Sequence, residues 1–177
     1  MRSYIRIIIL AVVTFTMNSC WEHLAPQSTP SIIVSNLYIN PIFSGDTLVG
    51  AQDTLRFSND PITGQKITDT MRLGDTAVMA GLFTSYHNNL TTIVTKADTN
   101  KINFWYAVDM STPENQKLLS ESSNPAKGYL LFKGLCQQYT FPIFFVPQKA
   151  GSHAIQIGVS SDSQFPNNSA TFSIPVE

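Results

Sequence analysis

The most constraining feature of this sequence is a succession of short apolar segments separated by turn residues, with no sustained helical period. In residues 170–176 (ATFSIPV) apolar side chains occupy every second position, which places them on one face of a strand. Strand candidates in the C-terminal third cover residues 129–132, 139–146, 153–160 and 170–176. Many short strands without long helices predict an all-β fold, an antiparallel β-sandwich.

The middle of the chain continues this pattern. Residues 76–83 are apolar on both faces apart from their small residues, which suits a central strand. Two further strand candidates cover residues 90–95 and 102–108, and the polar run 96–101 between them predicts a hairpin loop.

One segment breaks the β pattern. Ser111 is a candidate cap, Pro113 suits an early helical position, and Glu114 stands three residues after Ser111. We therefore expect one short helical insertion between strands, too brief to change the fold class.

The first twenty residues have the organisation of a secretory signal. Arg2 and Arg6 precede an apolar run over residues 7–17, and Ser19 comes directly before Cys20. A basic start, an apolar run of this length and a small residue before the cut are the parts of such a signal. The run is shorter than the ~20 apolar residues that span a bilayer. We expect residues 1–19 to be removed as a signal peptide.

The residues around Cys20 (MNSC) resemble the lipobox of bacterial lipoproteins, in the form with Ser before Cys that is familiar from Bacteroidetes. The resemblance implies a lipidated Cys20, acyl chains such as palmitate, and an outer-membrane lipoprotein facing the periplasm or the cell surface. The alternative is an ordinary secreted protein whose signal contains a cysteine.

Residues 20–31 carry prolines and small polar residues and predict a flexible tether. Residues 32–177 suffice for one domain.

Residues 145–159 (FVPQKAGSHAIQIGV) resemble the penultimate hairpin of immunoglobulin-like domains. In those domains a strand ends in Pro, a turn containing Gly follows, and the next strand often opens with Tyr. His153 stands where that Tyr would be, so a tyrosine-corner hydrogen bond would have to come from its imidazole. No Cys-Trp-Cys signature accompanies this stretch, so antibody-type domains are not implied.

Charge and cysteine content exclude several classes of function. Without Arg2 and Arg6 the chain has nine basic and twelve acidic residues, a balance that argues against nucleic-acid binding. Once Cys20 carries lipid, Cys136 is the remaining thiol and cannot form an internal disulfide. Its apolar setting predicts a buried, inert side chain.

Motifs for catalysis or cofactors are missing from the sequence: it contains no Gly-x-Ser-x-Gly, His-Glu-x-x-His or phosphate-binding loop. Asp98 could start a calcium loop, but the acidic positions that should follow are absent, so a turn is favoured. Asp109 and Glu114 could pair as carboxylates, yet near a helix cap they more simply accept bonds from backbone N–H groups. We expect no metal and no cofactor.

The histidines and aromatic residues suggest where contacts lie. His153 shares a face with apolar residues and predicts a satisfied, partly buried imidazole. Tyr86, His87 and Asn89 belong to an apparent loop and form the first candidate contact surface. Residues 141–146 (FPIFFV) are apolar on both faces, so this strand is either covered twice or partly exposed to a glycan or protein partner.

A short pattern, Asp-Thr-apolar, occurs four times between residues 46 and 77. It resembles the O-glycosylation sequence of exported Bacteroidetes proteins and implies modification at Thr47, Thr54, Thr70 and Thr76. The alternative is that each copy is simply a turn entering a strand.

Three functions remain open at this point. The leading hypothesis is a lipid-anchored, non-catalytic binding or accessory module of the cell envelope. The second is a structural subunit of an outer-membrane or surface complex, docked through an edge strand or aromatic patch. The third is a small hydrolase with an unrecognised site.

Overall fold

The computed structural model describes residues 29–60, 64–67 and 69–177, with the backbone alone between residues 57 and 67. The predicted signal, Cys20 and most of the predicted tether lie outside the described residues.

Strands make up most of the described chain. They are β1 (Ser31–Val34), β2 (Leu37–Ser44), β3 (Thr47–Leu55), β4 (Phe57–Asp60), β5 (Gly64–Ile67), β6 (Ala77–Thr84), β7 (Leu90–Ala97), β8 (Ile102–Tyr106), β9 (Tyr129–Leu131), β10 (Gln138–Pro147), β11 (Gly151–Ser161) and β12 (Asn167–Val176). A short helix, α1 (Pro113–Leu118), and a 3₁₀ turn (Pro125–Lys127) lie between β8 and β9.

The strands form two sheets. The first has the order β3-β2-β6-β10-β8, with β1 also paired to β6. The second has the order β4-β5-β12-β11-β7-β9. The named strand pairs are antiparallel except for β5 with β12. The fold is an antiparallel β-sandwich with one short helical insertion in the described residues, which confirms the predicted all-β sandwich.

The core lies between the sheets, and the alternation of the strands fills it. Phe172 of β12 is buried and meets Phe145 of β10 edge to face, with ring centroids 6.2 Å apart. Phe83 of β6 stacks on Phe141 of β10 at 5.2 Å. The face predicted for residues 170–176 is confirmed, and β6 is the central strand expected, with neighbours on both sides.

The predicted hairpin across residues 96–101 is wrong. β7 pairs with β9 and β11 in the second sheet, whereas β8 pairs with β10 in the first. The loop therefore crosses from one sheet to the other. A buried hydrogen bond of 2.8 Å between the hydroxyls of Thr95 and Tyr106 joins the two strands across the core instead.

The stretch that resembles an immunoglobulin hairpin also crosses between sheets, because β10 and β11 belong to different sheets. His153 begins the buried face of β11, and its Nε2 lies 2.6 Å from the carbonyl oxygen of Lys149. A carbonyl can only accept, so Nε2 donates. The imidazole thus makes the upstream backbone bond that tyrosine makes at the corner of immunoglobulin domains.

The helical insertion is where the sequence predicts it, shifted by one residue at its start. Thr112, not Ser111, is the N-cap, and Pro113 follows as the first helical residue. Ser111 instead donates both its backbone N–H and its hydroxyl to Asp109. That carboxylate organises the turn before the helix, which is the backbone role expected for it.

Candidate functional site

An aromatic row lies on the outer face of the first sheet. In β10 Phe141 and Phe145 are buried, so Phe144 between them points outward and is half-buried. Its ring stacks on Trp105 of β8, with centroids 5.2 Å apart and planes 4° from parallel. Phe43 of β2 lies 6.1 Å from the same Phe144 ring. The strand that is apolar on both faces is therefore partly exposed, one of the two outcomes left open.

Two local features shape the β2–β3 hairpin that brings Phe43 to this row. Asn40 has a left-handed backbone (φ 47°), which Asn tolerates better than most residues. Its side-chain amide donates to Gln52 at 2.8 Å and to Asp75 at 2.9 Å. The register also shifts after Ile42, which leaves Val49 of β3 as the extra residue of a bulge and bends the hairpin.

Trp105 also lines an open cleft of about 690 Å³ between β8 and the 3₁₀ turn. Phe104 contributes a second ring, and the polar lining comes from Thr99, Asn103 and Lys127. Because Phe144 covers one face of the indole, a ligand in the cleft can reach the other face or the edge. Aromatic walls with a few polar groups are the usual composition of a ligand-binding cleft.

The predicted contact loop lies at the end of the sandwich where β6 passes to β7. Tyr86 is 53% exposed with a left-handed backbone (φ 56°), and His87 is exposed beside it. Asn89 is engaged in the fold: its backbone N–H and side-chain amide both donate to the carboxylate of Asp162, at 2.7 and 3.0 Å. These bonds lower the pKa of Asp162.

Sequence reasoning missed two residues at this same end, Leu135 (90% exposed, φ 62°) and Phe165 (56% exposed). We define the loop end as residues 85–89, 133–137 and 162–166. Backbone bonds tie these loops together, from Ser85 to Gln137 and from Asp162 to Asn89. The available signal was an apolar residue beside a turn residue, as in Gly134-Leu135 and Phe165-Pro166.

The two candidate reactive groups of the core are held in place. Cys136 is buried, its thiol donates to the carbonyl of Gln138, and desolvation raises its pKa, as expected for an inert thiol. His153 is only 4% exposed, more deeply buried than predicted. The prediction of a satisfied imidazole is wrong for one of its two nitrogens, because Nδ1 has no hydrogen-bond partner within the described part of the chain.

The candidate calcium-loop residue, Asp98, takes a structural role. Asp98 accepts from the backbone N–H of Asn100 at 3.1 Å and pairs with Lys101 at 3.2 Å, an arrangement that makes a turn.

Across residues 29–60, 64–67 and 69–177, no group of three or more His, Cys, Asp or Glu side chains is placed to hold a metal ion. No helix within these same ranges is long and apolar enough to cross a membrane.

The four Asp-Thr sites differ in accessibility. Thr47 and Thr70 are exposed, whereas Thr54 and Thr76 are half-buried. Thr47 opens β3 and Thr76 directly precedes β6, as expected for a turn entering a strand, but Thr54 lies within β3.

Comparison with protein-family models gives no match, and neither does comparison with curated protein sequences. Solved structures share the architecture at a distance. The secreted serine protease VesC from Vibrio cholerae has a TM-score of 0.39 at 9% identity over 69% of this chain. The C-terminal domain of the Streptococcus agalactiae AgI/II polypeptide BspA has 0.41 at 13% over 85%. The PapD-like domain 7 of human CEP192 has 0.36 at 13% over 77%. This chain covers 23%, 50% and 98% of those chains, respectively, and the likeness concerns the sandwich architecture alone.

Proposed function

We propose that this protein is a non-catalytic binding module of the cell envelope, attached to the outer membrane by lipid on Cys20. The observation that carries the binding role is the position of Trp105. Its ring is braced by Phe144 and also lines an open cleft with Thr99, Asn103 and Lys127. β8 is paired to β10 along its whole length, so the indole projects from a rigid element.

The chemistry of this cleft favours a glycan. A pyranose ring presents C–H groups that pack on an aromatic side chain, and hydroxyls that bond to amide, hydroxyl and ammonium groups. The cleft offers both kinds of group side by side, while its open shape admits a chain longer than one sugar.

The test is a titration with a panel of soluble pyranose oligosaccharides, followed by the fluorescence of Trp105 in a Trp21→Phe background. We expect at least one oligosaccharide to shift the emission, and Trp105→Ala to weaken its binding, measured calorimetrically, about tenfold or more. Tyr86→Ala, which removes an exposed ring at the other end of the sandwich, is the matched control and should leave binding unchanged. Equal affinity of the Trp105→Ala variant and the wild type would refute this site.

The anchor is tested separately in cells. Labelled palmitate should be incorporated by the wild type and not by Cys20→Ala, and only the wild type should partition with membranes. Membrane partition of Cys20→Ala together with no label in the wild type would reject the lipoprotein assignment.

The proposal includes O-glycosylation at the Asp-Thr sites. Since Thr47 and Thr70 are exposed, they should be modified more fully than Thr54 and Thr76. Mass spectrometry of the exported protein gives the occupancy of each site. Modification confined to the half-buried pair would contradict this order.

A second candidate function, a structural subunit of a surface complex, is favoured by β3. This nine-residue strand pairs with β2 on one side and has no neighbouring strand on the other in the described part of the chain. Val49 is 60% exposed along it, and a partner strand could extend the sheet there. Chemical crosslinking in cells should then trap a partner at this edge, and Val49→Lys should abolish that product.

A further inference from the structure

The loop end exposes three large apolar side chains that the binding cleft does not use. Tyr86, Leu135 and Phe165 are 53%, 90% and 56% exposed, and each belongs to a different loop. The backbone bonds between these loops hold the three at one end of the sandwich. We call them the apolar trio.

The trio is held out at a conformational cost. Tyr86 and Leu135 have left-handed backbones, with φ of 56° and 62°. This conformation is rare for bulky residues, and strain of this kind concentrates at functional positions. Packing offsets little of this strain at Leu135, which is 90% exposed, and only part of it at Tyr86, which is 53% exposed.

The chain enters the domain at this same end. Ser31 pairs with Thr84, the last residue of β6, and the carbonyl of Pro30 accepts from the side chain of Asn168 at the start of β12. Cys20 and Thr29 are nine residue steps apart and can be separated by at most about 30 Å when this segment is fully extended. β12 runs from the loop end to the opposite end of the sandwich, and its ten residues separate these two ends by about 33 Å. A lipid on Cys20 therefore favours orientations in which the loop end faces the bilayer.

We infer that the loop end rests on the lipid surface, with the apolar trio in the headgroup region. This inference depends on the proposed lipid anchor at Cys20. Phenylalanine and leucine bury apolar area at this boundary, and tyrosine does the same while its hydroxyl stays hydrated. A lipid anchor together with a second, weaker contact holds a domain at a defined height and orientation.

Charge does not drive this contact. The charged side chains of the loop end are those of Lys133 and Asp162. Each of them has a partner within the protein. Lys133 donates to the carbonyl of Gln116, and Asp162 holds Asn89. The docking is therefore expected to be insensitive to salt and to anionic lipid.

The docking orients the binding cleft. Gln138 of β10 pairs with Thr84 beside the loop end. Phe144, which stacks on Trp105, lies six residues further along β10, at a distance of about 20 Å from Gln138. The cleft then faces away from the membrane, toward a ligand in the surrounding space.

The test uses the mature lipoprotein in phosphatidylcholine vesicles that contain brominated acyl chains, which quench tryptophan fluorescence on contact. In a Trp21→Phe, Trp105→Phe background, a single tryptophan is introduced by Phe165→Trp at the loop end or by Leu73→Trp at the opposite end. Leu73 is a matched control because it is 51% exposed. We expect about threefold stronger quenching at position 165, since interfacial side chains sit ~5–10 Å into the boundary and position 73 lies far above it.

Two double variants in the Phe165→Trp background test whether the quenching depends on the apolar trio or only on a folded domain. Tyr86→Asn and Leu135→Asn suit a left-handed backbone, so added together to Phe165→Trp they should lower its quenching toward that of position 73. Ile42→Asn and Val49→Asn, which remove exposed apolar side chains from the β2–β3 hairpin, should leave it unchanged.

The outcomes separate this inference from the anchor. Equal quenching at positions 165 and 73, with lipid on Cys20 verified by mass spectrometry, overturns the docking and leaves the anchor standing. Absence of that lipid overturns the anchor, and the docking with it. If the fluorescence of the tryptophan at position 165 changes with solubilised envelope proteins but not with vesicles, the trio binds a protein, and docking on lipid is rejected.

Discussion

Replacing Leu135 with glycine should stabilise this protein. The left-handed backbone at Leu135 raises the free energy of the folded state, and its exposed side chain contributes almost no packing in return. Its φ is 62° and its side chain is 90% exposed. A left-handed backbone costs an L-residue roughly 1–2 kcal/mol, and glycine adopts it freely. Glycine in turn loses about 0.5–1 kcal/mol more entropy on folding. The expected gain is therefore about 0.5–1 kcal/mol, or ~1–4 °C in Tm for a domain of this size.

Chemical denaturation of the wild type and Leu135→Gly at pH 7 measures this gain. Gly128→Ala is the control of opposite sign, since Gly128 has φ 65° and a Cβ there would clash with the ring of Phe104. A loss of more than about 1 kcal/mol for Leu135→Gly, comparable to a lost buried contact, would refute the reasoning that this side chain serves no packing role.

Three further changes follow from individual contacts. Because Asn89 lowers the pKa of Asp162 in the folded state, the stability from this carboxylate is present above its unfolded pKa of about 4 and is lost as pH falls. Unfolding titrations at pH 7 and pH 3 should show a smaller acid loss for Asp162→Asn than for the wild type. Burial raises the pKa of Cys136, so its reaction with a thiol reagent at pH 8 should be slow until denaturant is added. Tyr106→Phe leaves the buried hydroxyl of Thr95 unpaired and should lower the free energy of unfolding by about 1–3 kcal/mol.

The Asp162 and Tyr106 substitutions each have a matched control variant. Asp46→Asn alters an exposed carboxylate in the β2–β3 turn and should keep the acid sensitivity of the wild type. Tyr129→Phe removes a hydroxyl from the half-buried first residue of β9 and should cost less than Tyr106→Phe. A fast reaction of Cys136 in the native state, or an unchanged stability of Tyr106→Phe, would contradict the burial argued for these groups.

Local alternation allowed the strands and their buried faces to be predicted. Phe172, Ile174 and Val176 of β12 point inward as their spacing indicates, and His153 begins the buried face of β11. The face of a strand depends on a two-residue period, which any short segment displays by itself.

Strand pairing could not be predicted in the same way. The loop over residues 96–101 has hairpin composition, yet β7 and β8 pair in different sheets. Nothing in a local pattern states which strand comes to lie beside which, because that depends on long-range closure of the core.

The candidate sites show the same division. The pattern of residues 141–146 left open whether this strand is covered twice or partly exposed, and only the bent β2–β3 hairpin brings Phe43 to Phe144. Tyr86 was identified as a loop residue, while Leu135 and Phe165 join it through contacts between loops distant in sequence.

The sequence by itself determined that the described residues form an antiparallel sandwich with a short helical insertion, because side-chain periodicity and turn chemistry are local properties. It also supplied the prediction of export and lipidation, which depends on the first twenty residues. The tertiary structure alone decided that Trp105 lines a cleft and that three apolar side chains share the end where the chain enters. Those juxtapositions depend on sheet order and loop crossings, which only the packing of the whole domain specifies.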